Sequence, residues 1–282
     1  MNPSEKPYRG RLAPSPTGYL HLGHARTFWT AQTRAQSAGG RLILRSEDHD
    51  RARCRPEFVQ AMLEDLRWFG FAWTEGPDCG GPYGPYEQSA RMNLYRAALE
   101  QLRATGFIYP CTCSRKDILA AIQAPHAGDD EEPLYPGTCR HRPIPAGPNL
   151  KAVWRFRVPA GRLISFRDVH AGPREYVAGR DFGDFVVWRQ DDVPAYQLAC
   201  VVDDAAMGIT EVVRGADLLT STARQILLYE ALGHTPPQFY HDDLMLDETG
   251  QRLAKRHAAL SLRTLRQTDH MPVEYHQLWT GC

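Results

Sequence analysis

Apolar positions switch repeatedly between short continuous runs and a helical spacing, the pattern of strands alternating with helices in an α/β chain. Arg9–Ser15 reads as a short strand running into a Pro/Gly turn, Pro14-Ser-Pro-Thr-Gly18. His24–Ala38 has helical spacing and stops at Gly39-Gly40; Arg41–Arg45 is a second strand. Strand, turn, helix, strand is how a parallel sheet opens. Pro56–Gly70 and Ala90–Gly106 are helical in period, with a glycine stopping each.

The texture changes at Pro110. Cys111–Gly147 gathers Cys, Pro and Gly around an acidic run, Asp129-Asp-Glu-Glu132. Three short strands follow, at Ala152–Val158, Leu163–Val169 and Glu175–Val177. Asp184–Val202 returns to the composition of buried strands, Thr220–Leu232 is a helix ended by Gly233, and Phe239–Leu246 is a strand. Arg252–Arg256 falls in a polar loop before a short helical tail, and no internal repeat is visible. The expected division is a catalytic unit in two halves (1–110 and 180–234), an insertion (111–179) and a C-terminal segment (235–282).

Length and composition bound the rest. The chain has 282 residues, enough for one large domain with an insertion or for two domains. Apolar residues make up 43% and charged residues 23%, ordinary for a globular protein. There is no export signal and no run of 18 apolar residues, so neither secretion nor membrane spanning is expected. Net charge is zero, which excludes a general nucleic-acid coating protein but not a local basic groove. Seven cysteines, odd in number and unevenly spaced, read as thiols or metal ligands and not as a disulfide framework.

Five segments carry candidate chemistry. In Pro14–His24, Gly18 and Gly23 let backbone approach phosphate. A helix begins there, and His21 and His24 offer donors from one patch. The plainer alternative is a turn with two surface histidines. Lys255, in Arg252–Arg256, suits a mobile cation closing over a triphosphate, although short basic stretches are usually solvated faces. Glu47 follows the second strand, where an open parallel sheet faces its ligand, and suits an ammonium group; an ordinary loop acid is the alternative. Arg214 follows an apolar run and needs a partner, either an anionic substrate or an acid such as Asp217. Cys111, Cys113 and Cys139 suggest Zn²⁺, with His126, His141 or Tyr135 as the fourth ligand; unligated core thiols are the alternative.

In order and chemistry these segments resemble the class I glutamyl-tRNA synthetase family, over nearly the whole chain. They look closest to its short glutamyl-Q tRNA(Asp) synthetase branch. The resemblance implies an α/β, Rossmann-type class I synthetase catalytic domain with a small zinc-binding insertion and a short helical C-terminal segment. It implies ATP, with Mg²⁺, at Pro14, Thr17, Gly18, His21, Gly23, His24 and Lys255. His21, His24 and Lys255 would be the catalytic phosphate contacts. It implies L-glutamate at Arg11, Leu12, Ala13, Pro14, Ser15, Glu47, Tyr196 and Arg214, with Glu47 on the α-ammonium and Arg214 on the γ-carboxylate. The zinc ligands it implies are Cys111, Cys113, Tyr135 and Cys139, one structural ion per chain.

The implied reaction forms glutamyl adenylate and transfers glutamate to queuosine in the anticodon of tRNA(Asp), in a cytoplasmic monomer. Three departures from the longer synthetases stand out. Arg252 and Ala254 replace a lysine and a serine of the second ATP signature. Cys200 stands where the long enzyme usually has Asn, which is expected to loosen amino-acid binding. Too little chain follows Arg256 for the large helical anticodon-binding part. The competing readings are a truncated glutamyl-tRNA synthetase charging an acceptor end, a non-catalytic RNA-binding module, and another nucleotidyltransferase.

Overall fold

The computed structural model describes residues 7–50, 52–121, 134–142, 151–245, 261–268 and 270–280. Strand β1 (Arg9–Leu12), helix α1 (Leu22–Ser37) and strand β2 (Arg41–Leu44) form a parallel β-α-β unit, with Gly10 opposite Leu42. Helix α1 buries Ala25, Phe28, Ala31 and Ala35, one stripe at helical spacing. Gly39, at φ 59°, ends it, and the Gly39 and Gly40 N–H groups donate back to Gln36 and Ala35. That left-handed turn is the conformation glycine adopts at no steric cost.

Helices α2 (Pro56–Trp68) and α3 (Met92–Ala104) follow. Strands β3 (Ile108–Cys111), β4 (Val153–Phe156) and β7 (Val186–Trp188) make an antiparallel sheet, while helix α4 (Arg115–Ala121) lies between β3 and β4 in the chain. Strands β5 (Leu163–Asp168) and β6 (Gly172–Val177) form a hairpin. The three-stranded sheet thus draws strands from both sides of the expected boundaries at 110 and 179.

Helix α5 (Tyr196–Ala206) corrects the expectation of strand across Asp184–Val202; only β7 is strand there. Every residue from Gln197 to Asp204 is buried, because α3, α6 and β7 all pack on the helix. A helix covered on all sides has no polar stripe, so its apolar run reads like a buried strand.

Strand β8 (Glu211–Gly215), helix α6 (Leu219–Ala231) and strand β9 (Gln238–Asp242) form a second parallel β-α-β unit, with Val213 opposite Tyr240. Strands β3 and β8 were not anticipated as strands. The two units meet where β8 packs beside β1, and the Thr210 N–H donates to the Arg9 carbonyl at 2.9 Å. Four parallel strands therefore end near one another. Helices α7 (Leu262–Gln267) and α8 (Pro272–Thr280) close the chain. Leu262 and Leu265 join the core under α1 and α2, and His276 of α8 stacks on Trp29 with ring centroids 3.7 Å apart. No described helix is long and apolar enough to cross a membrane.

Candidate active site

A cavity of about 360 Å³ opens at the carboxyl ends of β1, β2, β8 and β9. Ala13, Pro14 and Ser15 follow β1, and Glu47 follows β2. Gly215, Asp217 and Leu218 come from the end of β8, and Asp243, Leu244 and Met245 follow β9. Ligand crevices in open parallel sheets form at this end because the chain turns away there and leaves backbone groups and loop side chains unpaired.

The first residues of α1 form one wall. His21 is the N-cap, and its ring Nδ1 accepts from the Gly23 N–H at 3.1 Å. His24 Nδ1 accepts from the His21 N–H at 3.3 Å, and the two rings lie 3.8 Å apart between centroids. Each ring accepts through Nδ1, which leaves Nε2 as the nitrogen that can carry an N–H donor. With the positive end of the helix behind them, the pair suits an anion. A Cβ on Gly23 would sit 3.0 Å from His21 Cε1, so a side chain there would push the ring out of place.

Arg214 forms part of the opposite wall. It is buried, and its Nε donates to His241 Nε2 at 3.2 Å. One terminal nitrogen donates to Thr222 Oγ1 at 2.7 Å and the other to the Tyr196 hydroxyl at 3.4 Å. No ion pair joins Arg214 to Asp217 or any other carboxylate among the described residues. Beneath it, His241 Nδ1 meets Asp168 Oδ2 at 2.6 Å, with both side chains fully buried.

Burial, reinforced by Arg214 and opposed by Asp168, holds the His241 pKa down at about 4. In the unfolded chain its pKa is ordinary, about 6.5. Between those values unfolding takes up a proton that the native ring refuses, so stability falls as pH drops from about 6.5 to 4, by about 3 kcal/mol at most. Asp168 is buried, yet His241 and two backbone donors hold its carboxyl below the usual range; its contribution is lost at still lower pH. Urea unfolding midpoints measured against pH should show this decline, with a shallower slope in His241→Gln.

A buried ionic layer supports the cavity floor. Arg45 reaches Asp204 at 2.6 Å, Glu47 at 3.1 Å and Asp203 at 3.7 Å. Arg91 meets Asp203 at 2.6 Å, and Arg11 lies 3.5 Å from Asp204. Three guanidiniums thus neutralise three carboxylates out of water. Cys200 Sγ lies 3.5 Å from Glu47 Oε1, and burial pushes its thiol well up, so it meets the carboxylate as a weak neutral donor.

A second cluster joins the end of β3 and Cys113 to residues 134–142, which come after α4 in the chain. Cys111, Cys113 and Cys139 bring their sulfurs within 4.8 Å of one another. The Tyr135 hydroxyl is 3.2 Å from Cys111 Sγ and 3.6 Å from Cys113 Sγ, and Cys113 and Cys139 are 3.5 Å apart. Burial raises the Cys139 thiol, but the Tyr135 hydroxyl, a Thr112 backbone group and the other thiols bring it down to about 7. Three sulfurs and one oxygen at these separations match the edges of a tetrahedron around Zn²⁺, about 3.8 Å for bonds of about 2.3 Å. His141 is exposed and not in the cluster, and His126 lies outside the described residues.

Of the residues singled out in the sequence, Arg11, Ala13, Pro14, Ser15, His21, Gly23, His24, Glu47, Tyr196 and Arg214 line the one cavity. Leu12 points instead into the core beneath α1, as the alternation of side chains along β1 requires. Thr17 and Gly18 are not among its lining residues, and Lys255, with Arg252 and Ala254, lies outside the described residues. Sequence reasoning missed Thr27, Phe28 and the 243–245 wall, and also Asp168, Thr222 and His241. The wall had a signal, its place after a strand; the buried trio had none.

Residues 8–277 match the family described as tRNA synthetases class I (E and Q), catalytic domain. A glutamyl-Q tRNA(Asp) synthetase of Symbiobacterium thermophilum is 52% identical over 268 residues, covering 93% of this chain and 82% of the relative. One from Nitratidesulfovibrio vulgaris is 50% identical, covering 92% and 81%.

The chain belongs to the glutamyl-Q tRNA(Asp) synthetase family.

A glutamate–tRNA ligase of Sulfurihydrogenibium is 42% identical, but this member of the family spans only 54% of that protein's length. The solved glutamate–tRNA ligase of Elizabethkingia meningosepticum superposes with a TM-score of 0.78 at 33% identity, over 89% of this chain and 52% of the other. The fold is thus the α/β catalytic fold of class I glutamyl-tRNA synthetases, and the family is one of ATP-dependent ligases.

Proposed function

We propose that this enzyme activates L-glutamate with ATP and transfers it to the queuosine base of tRNA(Asp). The observation that carries the proposal is a single cavity joining two complementary ends. The α1 end offers imidazole Nε2–H donors and a helix dipole. The β8 end offers a buried guanidinium whose protein partners are neutral.

In this reading ATP lies along Pro14, Thr17, Gly18, His21, Gly23 and His24, with Lys255 closing over the phosphates and Mg²⁺ arriving with the triphosphate. Glutamate lies against Arg11, Ala13, Ser15 and Tyr196, its ammonium on Glu47 and its side-chain carboxylate on Arg214. An α-carboxylate oxygen bonds to the α-phosphorus, the bond to the bridging oxygen breaks, and pyrophosphate leaves. No covalent nucleophile is needed; alignment and neutralisation of the growing phosphoryl charge supply the rate. A hydroxyl of the queuosine cyclopentene ring then attacks the adenylate carbonyl and AMP leaves. Residues 111–179 act as the insertion that shapes the groove for the anticodon loop. In this reading the enzyme works in the cytoplasm, where ATP and tRNA are both at hand.

The deciding assay is transfer of labelled glutamate to tRNA(Asp) with and without queuosine, beside tRNA(Glu). Label is expected only on queuosine-containing tRNA(Asp). Charging of tRNA(Glu), or equal labelling of tRNA(Asp) lacking queuosine, would turn the reading toward an acceptor-end synthetase.

The second cluster would hold one structural Zn²⁺ through the Cys111, Cys113 and Cys139 sulfurs and the Tyr135 oxygen, cross-linking the end of β3 to residues 134–142. Metal analysis of pure protein should find about one zinc per chain, since structural sites take four protein ligands. Chelation should lower the melting temperature. A metal-free protein with an unchanged melt would remove the assignment.

A further inference from the structure

We propose that Asp168 and His241, with Thr222, form a positioning set that fixes Arg214 for the substrate's side-chain carboxylate while leaving its charge uncompensated. The inference rests on the assignment of Arg214 to that carboxylate and adds residues the assignment does not contain.

Arg214 has a particular set of neighbours. Its Nε and both terminal nitrogens are held by an imidazole nitrogen, a threonine hydroxyl and a tyrosine hydroxyl. All three are neutral acceptors. A buried guanidinium is usually neutralised by a carboxylate, as Arg45 and Arg91 are in this same protein. Here the carboxylate stands one residue back. Asp168 receives the His241 proton, and His241 turns its lone pair toward Arg214. Orientation is thereby passed along the chain of hydrogen bonds, while Arg214's charge has no direct carboxylate partner among the described residues.

The contacts of Asp168 set the direction of its bond to His241. Asp168 Oδ1 accepts backbone N–H groups from His170 at 3.0 Å, Ala171 at 2.7 Å and His241 at 3.2 Å. Oδ2 is left for His241 Nδ1 at 2.6 Å. An ionised carboxylate only accepts, so Nδ1 carries the imidazole proton and Nε2 is the acceptor. Were the ring protonated on Nε2, an N–H would oppose the Arg214 Nε–H across 3.2 Å. The Asp168 acceptor at Nδ1 disfavours the neutral Nε2–H tautomer, and the low pKa of His241 keeps the doubly protonated ring out at neutral pH. The Thr222 hydroxyl lies 3.0 Å from the same Nε2 and completes the seat by accepting from Arg214. The set spans the end of β5, β9, α6 and β8, so the hairpin after β4 takes part in holding the pocket.

The test is Asp168→Asn, assayed by glutamate-dependent pyrophosphate exchange. The amide oxygen can keep the three backbone bonds. Its NH₂ must face His241 Nδ1, which moves the ring proton to Nε2, against Arg214. The KM for glutamate is expected to rise about ten- to a hundredfold, the range for a lost hydrogen bond to a charged group, with the KM for ATP and kcat at saturating glutamate within about twofold. In an Arg214→Ala background the same change should add nothing, because the two act through one group. A purely structural role would move the melt and both KM values together. An unchanged glutamate KM in Asp168→Asn, beside a raised one in Arg214→Ala, overturns the inference. An unchanged KM in Arg214→Ala itself overturns the pocket assignment first. If Asp168→Asn does not fold, ¹⁵N NMR of the native enzyme decides: neutral His241 with its proton on Nδ1 is expected, and a proton on Nε2 at pH 7 refutes the set.

Discussion

Arg214→Ala is expected to raise the glutamate concentration for half-maximal pyrophosphate exchange by about a hundred- to a thousandfold, the equivalent of breaking a buried charge pair. The size follows from how the free enzyme holds this side chain. Its protein partners are neutral, so truncation strands no carboxylate, and the protein should fold. The loss falls on the complex, where the substrate carboxylate would enter a pocket without its counter-charge. ATP binding should be unaffected, because the imidazole wall is on α1. Titration calorimetry with glutamate and with ATP separates the two; equal glutamate affinity in the variant would contradict the assignment.

Asp203→Ala is expected to lower stability by about 3–5 kcal/mol, the range for removing one partner of a buried ion pair. Asp203 is fully buried and accepts from Arg91 and Gln88 at 2.6 and 2.8 Å and from the Tyr95 hydroxyl at 2.8 Å. Without it, Arg45 and Arg91 would share the fold's interior with one carboxylate too few, and two polar side chains would lose their acceptor. Against the about 5–15 kcal/mol available to a typical domain, that is a large fraction. A urea midpoint displaced downward with the slope unchanged is the expected signature, and a midpoint within error of the native protein would show that water enters the layer. Asp203→Asn, which keeps an acceptor oxygen, should lie between the two.

The local parts of this architecture were legible in the sequence. Pro14–His24 lies between a strand and a helix that its own residues specify, and the rings that face the cavity are three positions apart on that helix. The thiol cluster was legible as two close pairs, Cys111 and Cys113 two apart and Tyr135 and Cys139 four apart, which the fold brings together. Helix α5 was misread because complete burial erases the polar stripe that distinguishes a helix from a strand. Leu12 was placed with the ligand residues by its position in a motif, whereas the pleat of β1 turns it to the core.

What the chain determined by itself were contacts within one turn: the imidazole pair and the glycine that leaves room for it, together with the close spacing inside each half of the thiol set. Those depend on backbone geometry that a few adjacent residues specify. Only the tertiary structure decided which acids balance Arg45, 159 positions from Asp204, and which neutral groups hold Arg214. The Asp168–His241 pair, 73 residues apart, likewise exists only because the β5–β6 hairpin packs against β9. Such pairings are selected by burial: once the fold removes a charge or a ring nitrogen from water, the nearest compatible group becomes its partner, wherever in the sequence that group lies.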